Sequence, residues 1–315
     1  MSTHIKEFSP NDSPKWDEFV RTSWNGTIFH TRRFLSYHPP NKFNDKSLVV
    51  QENKKWLSVF PAAYKSGVIT SHPGASYGGF VLQGPLSIKK THDIVDSLIN
   101  YLKEIKIKKV EMTLPPIIYQ TIPCNYLSFV FQRGNFTYKK RELSAYIPTS
   151  KKPFTLYKQE ARTATRKAKR EGVTVREGGS FKDFYEILKN NLAMRHNTTP
   201  THTLDELLRL KELFPKRIRL FSAFYKNQQI AGTVLFEANK KVVLAFYISH
   251  NQEYQHLRPV NLLFYEVLKW AYRNHYKFLD LGTFTLNMEP NFGLGRFKES
   301  LGAQGIFRDY LELTL

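Results

Sequence analysis

The stretch QIAGTVLFEANKKVVLAFYISHNQEYQHLRPVNLLFYEVLKWAYRNHYKFLDLGT, residues 229 to 283, carries the pattern on which the fold rests. QIAGTVLFEA (229 to 238) and KVVLAFYIS (241 to 249) are β-rich runs split by Asn239-Lys240, which predicts a hairpin. VNLLFYEVLKWAYRNH (260 to 275) sets Leu263, Val267, Trp270 and Ala271 at helical spacing, and KFLDLGT (277 to 283) reads as a strand. The order strand, strand, helix, strand recurs roughly 170 residues upstream. There WLSVFPAAY (56 to 64) is a strand that Pro61 confines to an edge or a bulge, and VITSHPGASYGG (68 to 79) leads a second strand into a Gly-rich loop. DIVDSLINYLKEIK (93 to 106) places Ile94, Leu98, Tyr101, Leu102 and Ile105 on one helical face, and KKVEMTL (108 to 114) is the closing strand. Two mixed α/β modules explain the repetition, since each sheet needs its own covering helix.

Length and composition agree with this. A chain of 315 residues suits two domains at ~100 to 200 residues each. The polar stretch YIPTSKKPFTLYKQ, bracketed by Pro148 and Pro153, places the expected division between residues 1–150 and 151–315. With 41% hydrophobic and 14% aromatic residues there is enough apolar side chain to offset chain entropy, which excludes disorder as the main state. The one cysteine, Cys124, excludes an internal disulfide and a Cys-rich metal site and points to a reducing, cytoplasmic setting. No apolar run reaches the ~18 to 20 residues that span a bilayer, and the opening MSTHIKEFSPNDSPKWDEF lacks a signal-peptide core, so neither an integral membrane protein nor one secreted by that route is expected. His196 and His202 flank NTTPT without the spacing of a metal-binding helix, and no metal is expected.

Charge narrows the partners. Lys and Arg number 47 against 27 Asp and Glu, and the net charge of +20 draws in polyanions: RNA, nucleotide phosphates, CoA-like donors or anionic lipid headgroups. The densest basic run is the predicted helix YKQEARTATRKAKRE (157 to 171), where Tyr157, Ala161, Ala164 and Ala168 form a narrow stripe of small or apolar residues. Such a stripe lets the helix sit close to the body while Arg162, Arg166, Lys169 and Arg170 face outward, with Gly172 as its stop. Those cations suit phosphate contact, and equally a solvated basic face.

Several runs resemble the GNAT acyltransferase superfamily, in the double-domain form of the FemAB-type peptidyltransferases and their acetyltransferase-like relatives. They are FHTRRFLSYHP (29 to 39), YGGFVLQGPL (77 to 86), RTATRKAKREGVTVREG (162 to 178), YQHLRPVNLLFYEVLKWAYRNHYKFLDLGTF (254 to 284) and, most specifically, FGLGRFKESLGAQG (292 to 305) with its Phe297-Lys298 pair. The resemblance implies an α/β (α+β) fold of two GNAT-like modules, each a mixed, largely antiparallel sheet covered by helices. It further implies an N-acyltransferase that moves an acyl or aminoacyl group to an amine of a sugar, peptide or cell-envelope precursor, with aminoacyl-tRNA or acyl-CoA as co-substrate and no tightly bound cofactor. In FemAB-type enzymes the matching Phe-Lys pair handles the acyl donor and the reacting centre.

The chemistry of acyl transfer fits these positions. A neutral amine attacks a held carbonyl, and the developing oxyanion needs stabilising charge. Lys298, beside glycines that let backbone amides approach, suits that task. Tyr247, late in its strand, could order the acceptor or relay a proton, with a half-buried sheet tyrosine as the plain alternative; His250 is a candidate base. Asp280, in an apolar strand, needs a partner and could orient an amine or enter a structural ion pair. Arg162, Arg166, Arg258, Arg296 and Phe297 complete the expected donor or phosphate contacts. Acetyl-CoA-binding relatives carry a Gly-rich loop before the long helix, whereas this chain has His256-Leu257-Arg258-Pro259-Val260-Asn261, without glycine and with Pro259 removing a donor. Ordinary CoA binding is therefore not expected from this loop, and its loss is also what the resemblance to FemAB-type proteins implies, since those take the acyl group from aminoacyl-tRNA. Where muramyl-peptide enzymes of this type have Asp-Pro, this chain has Leu114-Pro115, so the acceptor stays open among amino sugars, lipid-linked intermediates and small amines, with peripheral membrane contact compatible. A different class, a non-catalytic module binding RNA or an anionic surface through the 157–171 helix, stands as the alternative.

Overall fold

The computed structural model describes residues 3–196 and 198–315, without the side chains of Arg195 and His196. The chain divides into two compact units, residues 1–142 with 307–315 and residues 143–306. The division expected at 150/151 therefore differs in two places: the crossover comes at 142/143, and the last nine residues return to the first unit.

In the first unit, β1 (His4–Glu7), β2 (Leu48–Glu52) and β3 (Lys55–Phe60) pair antiparallel. The predicted strand 56–64 is broken at Pro61. Proline cannot donate to a ladder, so β3 ends at Phe60 and β4 (Ala63–Lys65) begins a second sheet, pairing antiparallel with β5 (Val68–Ser71). The helix α1 (Ile88–Glu104) starts earlier than the periodicity indicated because Ser87 caps it, its hydroxyl accepting from the Lys90 amide. The strand β6 (Lys109–Thr113) follows, parallel to β5 and antiparallel to residues 310–314 of the closing strand Gln304–Thr314. Ile94, Val95, Leu98 and Leu102 of α1 pack into a core with Ile69, Val110, Met112, Leu311 and Leu313. Ile105 lies beyond the helix and is exposed, whereas Tyr101 packs against this core while its hydroxyl donates to Glu7.

The second unit takes residues from 143 on of β7 (Thr137–Pro148), then α2 (Gln159–Arg170), β8 (Thr174–Glu177), α3 (Phe181–His196), β9 (Ile218–Tyr225), β10 (Gln228–Glu237), β11 (Val242–His250), α4 (Pro259–Arg273), β12 (Phe278–Thr283) and α5 (Phe292–Ser300). Its sheet runs β8-β9-β10-β11-β12-β7, antiparallel except for β11 and β12. Each unit thus repeats one motif, a hairpin followed by a helix and a strand parallel to the hairpin's second arm. On one sheet face Leu263, Phe264, Val267 and Leu268 of α4 meet Phe221, Leu235, Val243, Ala245 and Leu279. On the other lies α3, whose Phe184 ring sits so close to Gly232 that a Cβ there would come within 2.7 Å of it. The buried stripe of α2 is Ala161, Thr165 and Ala168, with Tyr157 just before it, so Thr165 takes the place expected of Ala164. Its hydroxyl is satisfied inside the helix by the Ala161 carbonyl at 2.8 Å, which makes a threonine tolerable there.

Candidate functional site

Two irregularities of the sheet create the site. The first is in β11, whose register with β10 shifts between Val234 and Leu235: Val234 faces Tyr247 and Leu235 faces Ala245, leaving Phe246 as an inserted residue. Such a bulge bends its strand. Pairing of β11 with β12 covers Val242 to Leu244 against Phe278 to Asp280, so the parallel strands part beyond this point. In the opening lies a cavity of about 620 Å³, walled by Ile248 and His250 of β11, Leu281 of β12, the first turn of α4, and Asn291, Leu294, Phe297 and Lys298 at α5. Ligands of parallel α/β arrangements settle where adjacent strands separate at their carboxyl ends.

The second irregularity is in β12. Asp280 pairs with Tyr146 but Thr283 with Ser144, so Leu281 and Gly282 together oppose Ala145, one residue in excess, and Gly282 adopts φ +71. This left-handed residue turns two successive carbonyls, those of Gly282 and Thr283, toward Lys298, whose Nζ donates to them at 2.8 and 2.9 Å. Asp280 holds the bulge: its Oδ1 accepts from the Ser144 hydroxyl and the Gly282 amide, each at 2.8 Å. Asp280 has no exposure and Lys298 only 3%. Burial drives the Lys298 ammonium down from its ordinary value near 10.5 to about 8, and the charge of Asp280 partly opposes the shift. An ammonium has three N–H donors and the two carbonyls use two, which leaves one for the cavity that Lys298 lines.

The rest of the Phe-Lys signature is structural. Leu301 is fully buried, and Gly302, at φ +86, ends α5 with its Cα so near the Leu156 carbonyl that a Cβ would lie 2.6 Å from that oxygen. Only glycine fits both demands. At the other wall, Arg258 caps α4 in the left-handed region, with φ 58 and ψ 41, and lines the cavity. The helix start offers little backbone to an anion: the Arg258 amide donates to Gln255, Pro259 has no N–H, and the Asn261 amide donates to Arg258, so the Val260 amide alone remains of the usual four.

Of the residues expected to act, Lys298, Phe297 and Arg258 meet at this cavity, as does His250, and Asp280 stands directly behind it. Tyr247 does not join them. Ile248 and His250 face the cavity, and alternation sends Tyr247 to the opposite side, where its hydroxyl accepts from the His202 amide at 3.0 Å and lies 2.9 Å from His202 Nδ1. Burial raises its pKa to about 12, which keeps the phenol protonated. Arg162 donates to the Tyr157 carbonyl at 2.9 Å, Arg166 is exposed above the Phe154 ring, and Arg296 is exposed on α5; none of the three lines the cavity. The sequence reading passed over Ser144, Asn191, Asn261 and Asn291. Asn291 was the most legible, since an Asn before an apolar helical run is a capping signal, and its side chain indeed accepts from the Leu294 amide at 2.9 Å. Among the described residues no cluster of His, Cys, Asp and Glu could hold a metal ion, and no helix is long and apolar enough to cross a membrane.

Comparison with known proteins places this geometry. Residues 157–299 match the family model of the acetyltransferase (GNAT) domain. Comparison with curated proteins gives no match. Among solved structures the chain is similar to FemX, with a TM-score of 0.73 and 14% identity over 99% of this chain and 97% of that one. A tandem GNAT protein from the clavulanic acid biosynthesis pathway gives 0.59 at 8% identity, over 99% and 98%. The C-terminal domain of a putative lysylphosphatidylglycerol synthetase from Agrobacterium fabrum gives 0.58 at 10%, over 96% and 91%. Identities this low speak for the fold, which is that of tandem GNAT proteins.

Proposed function

We propose that this chain, whose second unit carries a GNAT acyltransferase domain, transfers an aminoacyl group from aminoacyl-tRNA to a primary amine, with the reaction centred on Lys298. The observation that carries this reading is the buried ammonium pinned by the Gly282 and Thr283 carbonyls at the wall of a cavity large enough for two reacting groups. Phe297 and Ile248 supply apolar walls, which lower the local dielectric and strengthen the remaining N–H of Lys298 as a donor to an oxyanion.

In the proposed reaction the neutral amine attacks the ester carbonyl, forming the C–N bond and a tetrahedral oxyanion that Lys298 holds. The intermediate then collapses, breaking the bond to the ribose oxygen. The amine sheds one proton and the leaving oxygen gains one; His250, at the same cavity, is the titratable group placed to carry it. Arg258 is positioned to grip a donor phosphate. The poor set of free amides at α4 argues against a pyrophosphate cradle and hence against CoA as the preferred donor.

The test is to incubate the purified chain separately with aminoacyl-tRNA and with acyl-CoA and to measure saturable binding and transfer to a panel of amines. Saturable, salt-sensitive use of aminoacyl-tRNA supports the reading; productive use of acyl-CoA alone overturns the donor assignment, and transfer from neither overturns the function.

A further inference from the structure

Beside the cavity mouth stands a cluster of apolar side chains that the chemistry above does not use. The short strands Thr285–Leu286 and Glu289–Pro290 pair as a hairpin, and its two turn residues, Asn287 and Met288, have φ of 51 and 68. A turn with both residues left-handed favours Asn, Asp and Gly, so a methionine is an unusual occupant. Phe292 is 81% exposed, Leu286 74% and Met288 58%. Exposure this high means that each side chain is surrounded by solvent on most of its surface. The feature is therefore a convex tip rather than a groove.

The tip is continuous with the site, because Asn291, Gly293 and Leu294 line the cavity. The tip itself carries one charged residue, Glu289, and the cations stand at its base: Arg296 is exposed one helical turn after Phe292 and Arg258 lies in the cavity wall, while the neighbouring carboxylate, Glu299, is paired with Lys158. A projecting apolar point flanked by cations complements an anionic bilayer, whose headgroups attract the cations and whose acyl boundary closes around a side chain from every side. A protein partner would instead need a matching hole.

We infer that the 286–292 tip docks on an anionic lipid surface and so presents the cavity mouth to an amine carried in the membrane. The docking stands on exposure and charge alone; the membrane-borne amine also rests on the acyl-transfer reading. The experiment is flotation of the full chain with vesicles of phosphatidylglycerol and phosphatidylcholine, compared with phosphatidylcholine alone, in the absence of any acyl donor. Its outcome is thereby independent of whether transfer occurs. The wild type is expected to float with the anionic vesicles, and a Leu286→Ala/Phe292→Ala variant to lose at least about tenfold in partitioning with an unchanged circular dichroism spectrum and melting temperature. Phe129→Ala, which removes an exposed aromatic of the first unit, should float as the wild type does. In addition, Phe292→Trp should show a blue-shifted emission on vesicle addition. Equal flotation of the double variant, an unshifted tryptophan, or tip-dependent self-association or tRNA binding without vesicle binding would each overturn the inference.

Discussion

At Lys298 burial and the proposed role pull in opposite directions. The unfolded chain keeps this proton up to about pH 10.5 and the folded chain only to about 8, so between these values the unfolded state binds more protons and raising the pH favours the fold. The penalty of the buried charge is full below pH 8 and gone above 10.5. Relative to Lys298→Met, the wild type should therefore gain about 3 kcal/mol of stability between pH 7 and 10.5, measurable by urea unfolding. A flat difference would show that the ammonium is not desolvated. In the proposed reaction the oxyanion's partner must be charged, so transfer should fall as pH rises through about 8. At Gly302 the constraint is steric, and Gly302→Ala should cost about 2 kcal/mol, read as a lowered melting temperature. The place of Lys298 at the cavity was legible because a rare pair, Phe297-Lys298, marked it. Tyr247 was misleading for a physical reason: alternation tells which residues share a face, but the bulge at Phe246 decides which face turns to the cavity.

At the scale of the element, the bulge in β12 is the device that aims the Gly282 and Thr283 carbonyls. It rests on Asp280, and Asp280 on Ser144. Ser144→Ala should lower stability by about 1 to 2 kcal/mol and, by loosening the bulge, shift the alkaline limb of the transfer profile, whereas Ser144→Thr should restore it. A purely structural Ser144 would lower stability and leave that limb in place. Arg258 gives the complementary case. Its left-handed backbone is strained for an arginine, so Arg258→Gly should leave stability unchanged or raise it by up to about 1 kcal/mol while raising the KM for the donor. The elements named from the sequence were legible because periodicity and stop signals are local, as Gly172 after α2 shows, whereas the cap Ser87 was passed over and α1 begins five residues before the periodic run at 93. Ser144 was not, since nothing near it in sequence announces that Asp280 lies beside it.

For the whole molecule, the repeated order strand, strand, helix, strand was readable from hydrophobic pattern and pointed to two α/β modules; that the closing strand of each runs parallel to the one before the helix is a fact of the fold. The return of residues 307–315 to the first unit was not, because a strand's pattern does not name its neighbour. The charge of +20 makes a further expectation: affinity for a polyanionic donor should fall several-fold between about 50 and 200 mM salt, with a shallower slope in Arg258→Gly. The central claim is that Lys298 stabilises the transition state of acyl transfer. Single-turnover transfer from aminoacyl-tRNA by the wild type and by Lys298→Ala, at pH 7 and saturating acceptor, tests it most directly. The rate should drop about 10²- to 10³-fold with donor binding largely retained, and an unchanged rate in the variant would contradict the assignment.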